Sequence, residues 1–183
     1  MNVTRYAIAT AATAAIAAAP TALAGGADPL TPRSKVGPQG AGSVRIGMTV
    51  VEARRATGQQ FASLGEPQKG SDCSYVVARQ GPRQLSFMLK GKRIVRVDLG
   101  PRTPVRTTRG IGIGATEAAV RRAYPKGLRT ERHHYVPTGH YLVFTPTQQE
   151  LRNRRVIFET DGRKVTAIRA GRVPEVRFVE GCS

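Results

Sequence analysis

The sequence predicts an α+β fold of two tandem repeats, each a short helix followed by an antiparallel β-meander, packed as one domain. Two matches within the chain carry that prediction. Arg45-Ile46-Gly47-Met48-Thr49-Val50-Val51-Glu52-Ala53 returns as Gly112-Ile113-Gly114-Ala115-Thr116-Glu117-Ala118-Ala119-Val120, with the Ile-Gly-x-Thr core kept. Leu85-Ser86-Phe87-Met88-Leu89-Lys90-Gly91-Lys92-Arg93-Ile94 returns as Val156-Ile157-Phe158-Glu159-Thr160-Asp161-Gly162-Arg163-Lys164-Val165, in the same order and at nearly the same spacing. Landmarks that recur in register mark an internal repeat, and one such unit has too little apolar area to be stable alone.

Arg5 is the sole charge ahead of a run of Ala, Thr and Ile, and Ala22-Leu23-Ala24 before Gly25-Gly26 forms a small-residue cleavage pattern. These features predict a signal peptide over 1–24 and a secreted or periplasmic protein. No cysteine stands at the cleavage point to accept a lipid, and no later segment offers the roughly 18 apolar residues of a membrane span. In an oxidising compartment the two cysteines predict a Cys73–Cys182 disulfide that ties the tail back across both repeats. Residues 25–43, rich in Gly, Pro and small polar side chains without apolar periodicity, predict a flexible lead-in.

Repeat 1 spans 44–100. Thr49 is a good helix N-cap, Glu52 completes a capping box, and Gly58 is the stop, giving a helix of about two turns. Strands follow over 74–79, 84–90 and 93–99, with Lys90-Gly91-Lys92 joining the last two. Alternation places Leu85, Phe87 and Leu89 on one side, and Val95, Val97 and Leu99 likewise, with Arg96 and Asp98 pointing the other way. A linker over 101–110 carries Pro101 and Pro104. Repeat 2 and the disulfide-tied tail span 111–183. Thr116 caps a helix over 117–124 that Pro125 and Gly127 end, and Glu117 in its first turn suits the helix dipole. Strands over 140–145, 155–160 and 164–170 follow, with Asp161-Gly162 as the strongest hairpin signal. Gly47 and Gly114 mark the turn into each helix.

Twenty-nine Lys and Arg stand against 12 Asp and Glu, a net charge of +17. A field of that sign attracts anionic partners such as lipopolysaccharide, acidic polymers or an acidic protein, and a solvated basic surface is the plainer reading. The clearest local cluster is Arg102, Arg106 and Arg109 in the linker, which reads either as an anion contact or as a solvated loop. Nucleic acid is a poor fit, because aromatic platforms that stack single strands are scarce: there is no Trp and aromatics make up 5% of the chain.

All three histidines fall in His133-His134-Tyr135 and His140-Tyr141. Adjacent histidines on a strand point to opposite faces and no carboxylate or thiol lies close in sequence, so no metal site is predicted. The first repeat has no counterpart of this composition. That asymmetry makes His133, His134, Tyr135 and Tyr141 the candidate partner contact, since aromatic side chains anchor interfaces; Tyr141, aligned with Tyr75, also suits a place in the sheet. Gly110-Ile111-Gly112-Ile113-Gly114 lacks the Lys-Ser/Thr of a phosphate-binding loop and the βαβ context of a dinucleotide fold. No Gly-x-Ser-x-Gly or paired-acid spacing is present, so no catalytic residue, cofactor or enzymatic activity is assigned.

The doubled Ile-Gly-x-Thr before a short helix, the helix-then-sheet order and the disulfide-tied exported chain resemble the β-lactamase inhibitor protein superfamily. A related single-unit layout occurs in outer-membrane assembly lipoproteins of the SmpA/OmlA type. The resemblance covers residues 44–183 and implies a binding scaffold whose sheet face or hairpin edges engage a protein. The expected function is therefore an exported protein-binding module with an unassigned target, the alternative being an envelope structural or assembly factor that binds anionic lipid or polysaccharide.

Overall fold

The computed structural model describes Met1 and residues 26–66 and 70–182. Apart from Met1, the predicted signal peptide lies outside the described residues. In chain order the strands begin with β1 (Lys35–Gly37), β2 (Gly40–Ala41) and β3 (Val44–Arg45), followed by helix α1 (Val50–Thr57). Then come β4 (Phe61–Ser63), β5 (Cys73–Ala78), β6 (Leu85–Lys90), β7 (Arg93–Leu99), β8 (Arg106–Thr107) and helix α2 (Glu117–Ala123). The last four are β9 (Leu128–Arg132), β10 (His140–Phe144), β11 (Arg154–Thr160) and β12 (Val165–Arg172), with short 3-10 turns at Gln149–Leu151 and Glu175–Arg177.

Local chemistry starts both helices as the sequence predicts. The Thr49 hydroxyl accepts from the Glu52 amide, and the Glu52 carboxylate accepts from the Thr49 amide at 2.7 Å, a reciprocal capping box. The Thr116 hydroxyl accepts from the Ala119 amide. Before each helix a glycine takes a positive φ, 101° at Gly47 and 82° at Gly114, where a side chain would be strained. Their amides donate to the carbonyls of Ile94 and Val165, pinning each turn to a strand.

The predicted α+β fold of two helix-plus-meander repeats is not what the chain adopts. The described residues are mostly β, 38% strand against 14% helical, and form two helices and two sheets. Eight strands form one continuous sheet in the order β4-β5-β6-β7-β12-β11-β10-β9. Its seam is the antiparallel pairing of β7 with β12, in which Leu99 faces Ile168 and Val97 faces Ala170. The other four strands form a second sheet, β3-β2-β1-β8, in which β1 runs parallel to β8. Strands of two or three residues are too short to show alternation, so this sheet leaves no periodic signal in the sequence. The predicted flexible lead-in thus contains β1 and β2 and buries Leu30, Val36 and Ala41, and the predicted linker contains β8.

One core joins α1, α2 and the small sheet to a single face of the large sheet. Ala53 and Val120 from the helices and Val36 and Val44 from the small sheet pack with Phe87, Val97, Leu142 and Phe158. Alternation fails at two register shifts, one at Glu159/Thr160 where β11 meets β12, so that Val165 and Ile168 both face the core, and one between β6 and β7. The β6–β7 register shifts at Met88/Leu89, so Ile94 rather than Val95 joins this core, and Val95 turns to the opposite face with Met88 and Cys73. That opposite face is covered by the C-terminal tail. Val176 packs on Tyr141, Val143 and Ile157, and the Cys73–Cys182 disulfide fastens the end of the tail beside β5, with 5.4 Å between the Cα atoms. Among the described residues no helix is long and apolar enough to cross a membrane.

Candidate functional site

A cleft of about 690 Å3 opens between the small sheet and the ends of α2 and β10. The β1–β2 hairpin builds one wall. Thr31 and Ser34 close the turn before it, the Thr31 amide donating to the Ser34 hydroxyl at 2.9 Å and the Arg33 amide to the Thr31 hydroxyl at 3.2 Å. This sets Arg33 and Lys35 on the cleft with Arg45 of β3. The opposite wall follows β8, whose parallel pairing places Lys35 beside Arg106 and carries the chain into a turn from Thr107 to Gly110. That turn presents Arg109.

Arg109 is held in place by three neighbours. Its guanidinium lies 4.7 Å from the centre of the Tyr124 ring and 5.0 Å from that of Phe144, and its Nη1 donates to the Ala123 carbonyl at 2.9 Å. The two rings pack on one another at 4.8 Å, and Tyr124 continues onto Phe158 in the core. Burial pushes the Tyr124 phenol up, so it stays neutral beneath the cation. An arginine stacked on aromatic rings keeps its charge and loses conformational freedom in advance of binding. Four cations line the cleft, Arg33, Lys35, Arg45 and Arg109, against the single acid Asp28. Among the described residues none of the four forms an ion pair within 4.0 Å.

No family model matches the chain, and no curated protein matches it. One solved structure is similar, the uncharacterized protein yfeY from Escherichia coli. That likeness has 12% identity and a TM-score of 0.42, over 79% of this chain and 99% of that one. No family match ties the chain to the β-lactamase inhibitor protein superfamily, and that resemblance rests on the sequence motifs alone.

The structure separates the residues that the sequence groups together. Of the linker arginines only Arg109 lines the cleft. Arg106 turns back to donate to the Gly110 carbonyl at 3.1 Å, and Arg102 sits exposed in a turn with φ 64°. The His-Tyr segment splits likewise. His133 is half-buried with its ring tucked in, stacked on Tyr141 at 4.6 Å and 3.1 Å from Glu159, while Tyr141 is 4% exposed and packs under the tail. His134 and Tyr135 are exposed and line a smaller cleft of about 440 Å3 with Phe178 and Val179, and the Tyr135 hydroxyl donates to Glu180. His140 instead serves α2, its Nδ1 lying 2.7 Å from the Glu117 carboxylate, which also accepts from the Thr160 hydroxyl. Among the described residues no group of three or more His, Cys, Asp or Glu is placed to hold a metal.

A second polar cluster lies under the tail. Arg96 is bound to Asp98 at 2.9 Å through two nitrogens, donates to the Tyr75 hydroxyl at 2.7 Å, and donates to the carbonyls of Glu175 and Phe178. Burial pushes the Tyr75 phenol up to about 12, and burial likewise raises the Asp98 carboxyl against the pull of Arg96. These groups are spent on one another and on the tail, so the cluster is a fastening.

Sequence reasoning missed Arg33, Lys35 and Arg45 as site residues, along with Tyr124 and Phe144. Their gathering depends on the β1–β8 pairing, for which the sequence carries no local sign.

Proposed function

We propose that this chain is an exported binding module whose recognition site is the basic cleft, and that its partner is anionic. The observation that carries this reading is Arg109 held against the Tyr124 and Phe144 rings at a cleft with three further cations and one acid. Unpaired like charges around one concavity cost stability by mutual repulsion, which an anionic partner relieves. The reading favours the envelope alternative from the sequence and agrees with the net charge of +17.

Co-sedimentation with dextran sulfate, and with phosphatidylglycerol vesicles diluted in phosphatidylcholine, tests it. Binding is expected at low ionic strength and should weaken steeply as salt shortens the screening length from about 30 Å to about 3 Å. Arg109→Ala should weaken it further. Binding indifferent to salt and to Arg109, or failure of these probes and of small phosphate anions alike, would overturn the proposal.

A protein partner is the second reading, favoured by Tyr135, which is 64% exposed beside His134. Affinity capture from envelope extract tests it with Tyr135→Ala as the control; a captured protein whose recovery ignores Tyr135 counts against that contact.

A further inference from the structure

The shape of the basic cleft narrows the class of its ligand. A membrane surface or an acidic polymer is met by a broad or track-like patch of charge, whereas here the unpaired cations converge on a concavity of about 690 Å3. That volume falls within the range of roughly 300–1,000 Å3 found for sites that enclose discrete small molecules. Charge narrows it further. Four cations and one acid leave an excess of three positive charges on the lining, more than one carboxylate neutralises. A phosphate monoester brings about 1.5 to 2 negative charges and three acceptor oxygens in one group.

Arg109 supplies the matching donors. With Nη1 committed to the Ala123 carbonyl, its Nη2 and Nε make no hydrogen bond to any described residue. The guanidinium is already held by the two rings and the Ala123 carbonyl, so its remaining N–H groups are offered with little further loss of side-chain freedom. Lys35 and Arg33 lie beyond, as point charge and second fork, on a wall that also carries the backbone of Gly37 and Gly40. At Gly40 an added Cβ would lie 2.0 Å from the Val44 carbonyl oxygen, so that glycine serves the close pairing of β2 with β3.

We infer that the cleft binds a small molecule carrying phosphate, seated on Arg109 with Arg33, Lys35 and Arg45 around it. This rests on the reading of the cleft as the site for an anion. The phosphate belongs either to a soluble compound or to the headgroup of a phosphorylated lipid, and the two sources share this chemistry.

Isothermal titration of the mature protein with inorganic pyrophosphate, against sodium sulfate at equal ionic strength, tests the inference. Vesicles of phosphatidic acid in phosphatidylcholine form the lipid arm. Pyrophosphate is expected to bind one to one and better than sulfate. Arg109→Ala should weaken it by roughly ten- to a hundred-fold, the effect of losing charge-assisted hydrogen bonds. Arg109→Lys should recover only part of that loss, and Arg122→Gln, an exposed cation off the cleft, should change nothing. Competition by pyrophosphate for the vesicles would place both sources in one site; vesicle binding that pyrophosphate does not displace would assign the vesicles to another surface. Two results overturn the inference. If pyrophosphate fails to bind while dextran sulfate still binds through Arg109, the cleft serves an anionic polymer and only the small-molecule assignment falls. If pyrophosphate binds equally well to wild type and Arg109→Ala, the site lies elsewhere. Failure of every anionic probe removes the proposed function as well.

Discussion

The Arg96 guanidinium donates to the Phe178 carbonyl at 2.6 Å, joining the centre of the large sheet to a tail 82 residues further along the chain. The same side chain, 4% exposed, neutralises Asp98 and satisfies the Tyr75 hydroxyl and the Glu175 carbonyl. Removing it leaves a carboxylate and a phenol under the tail without their Arg96 donors, while the Glu175 and Phe178 carbonyls keep only the Phe178 amide and Arg169. Arg96→Met should therefore destabilise the protein by about 3–5 kcal/mol, as breaking a buried pair does. Adding Asp98→Asn should restore part of that loss, because the uncompensated charge is then gone. Urea unfolding midpoints check both; a single variant within error of wild type would show that the network contributes no stability.

The disulfide closes the other end of the same tail. Cys73 and Cys182 are separated by 109 residues, and a cross-link over a loop that long restricts the unfolded chain. The chain-entropy model gives on the order of 4–5 kcal/mol for it. Replacing both cysteines by serine, or reducing the native protein, should lower the thermal midpoint by many degrees. Arg96 and Val176 hold the tail independently of the sulfur atoms, so the reduced protein should remain folded at room temperature. Calorimetry with and without dithiothreitol decides the matter, an unchanged midpoint being the result that contradicts it.

Acid should destabilise the fold through two glutamates. Burial alone would raise the Glu117 carboxyl, but hydrogen bonds from Thr160 and His140 outweigh burial and hold it below its ordinary 4.5. Glu175 behaves alike, with burial opposed by the bidentate contact of Arg172 at 2.9 and 3.1 Å. A carboxyl whose folded value is depressed binds protons more readily in the unfolded chain. Its stabilisation is thus complete above 4.5 and disappears as pH falls through the folded value. Urea midpoints should be nearly flat down to about pH 5 and drop below it, and Glu117→Gln should flatten the acid limb. An acid limb unaltered by that substitution would move the effect to other groups.

How much of this was legible in the sequence depends on distance along the chain. The Thr49–Glu52 box, the glycine turns at Gly47 and Gly114 and the ranges of β6 and β7 follow from neighbours within a few residues, and the structure has them where the pattern places them. The pairing of Cys73 with Cys182 followed from counting and compartment. Val95 was assigned to the wrong face because a one-residue bulge is invisible to alternation. The fold class failed for a related reason. The strands of both copies pair edge to edge through β7 and β12, and the lead-in and linker, too short of periodic residues to be read as strands, complete a second sheet. The site suffered most. Arg109 was in the cationic cluster that sequence reasoning picked out, yet what distinguishes it from Arg102 and Arg106 is contact with Tyr124 and Phe144, at the ends of a helix and a strand from elsewhere in the chain.

The seam between β7 and β12 supplies the sharpest test of the continuous sheet. At Gly171, opposite Arg96, an added Cβ would lie 2.4 Å from the Val95 carbonyl oxygen and 2.8 Å from the Arg96 Cα. Both obstacles are backbone, so no side-chain rotation relieves them. Gly171→Ala must either part the two strands or shift the bulged segment of β7, and overpacking of this kind costs about 1–3 kcal/mol. The Arg96 network stands on that segment, so the substitution should loosen the tail along with the seam. Hydrogen exchange is expected to rise at the amides shared by β7 and β12 and near Phe178, while those of β9 and β10, at the far edge of the sheet, keep their protection. An alanine variant with native stability and unchanged exchange at the seam would mean that the two halves do not meet there as closely as Gly171 requires.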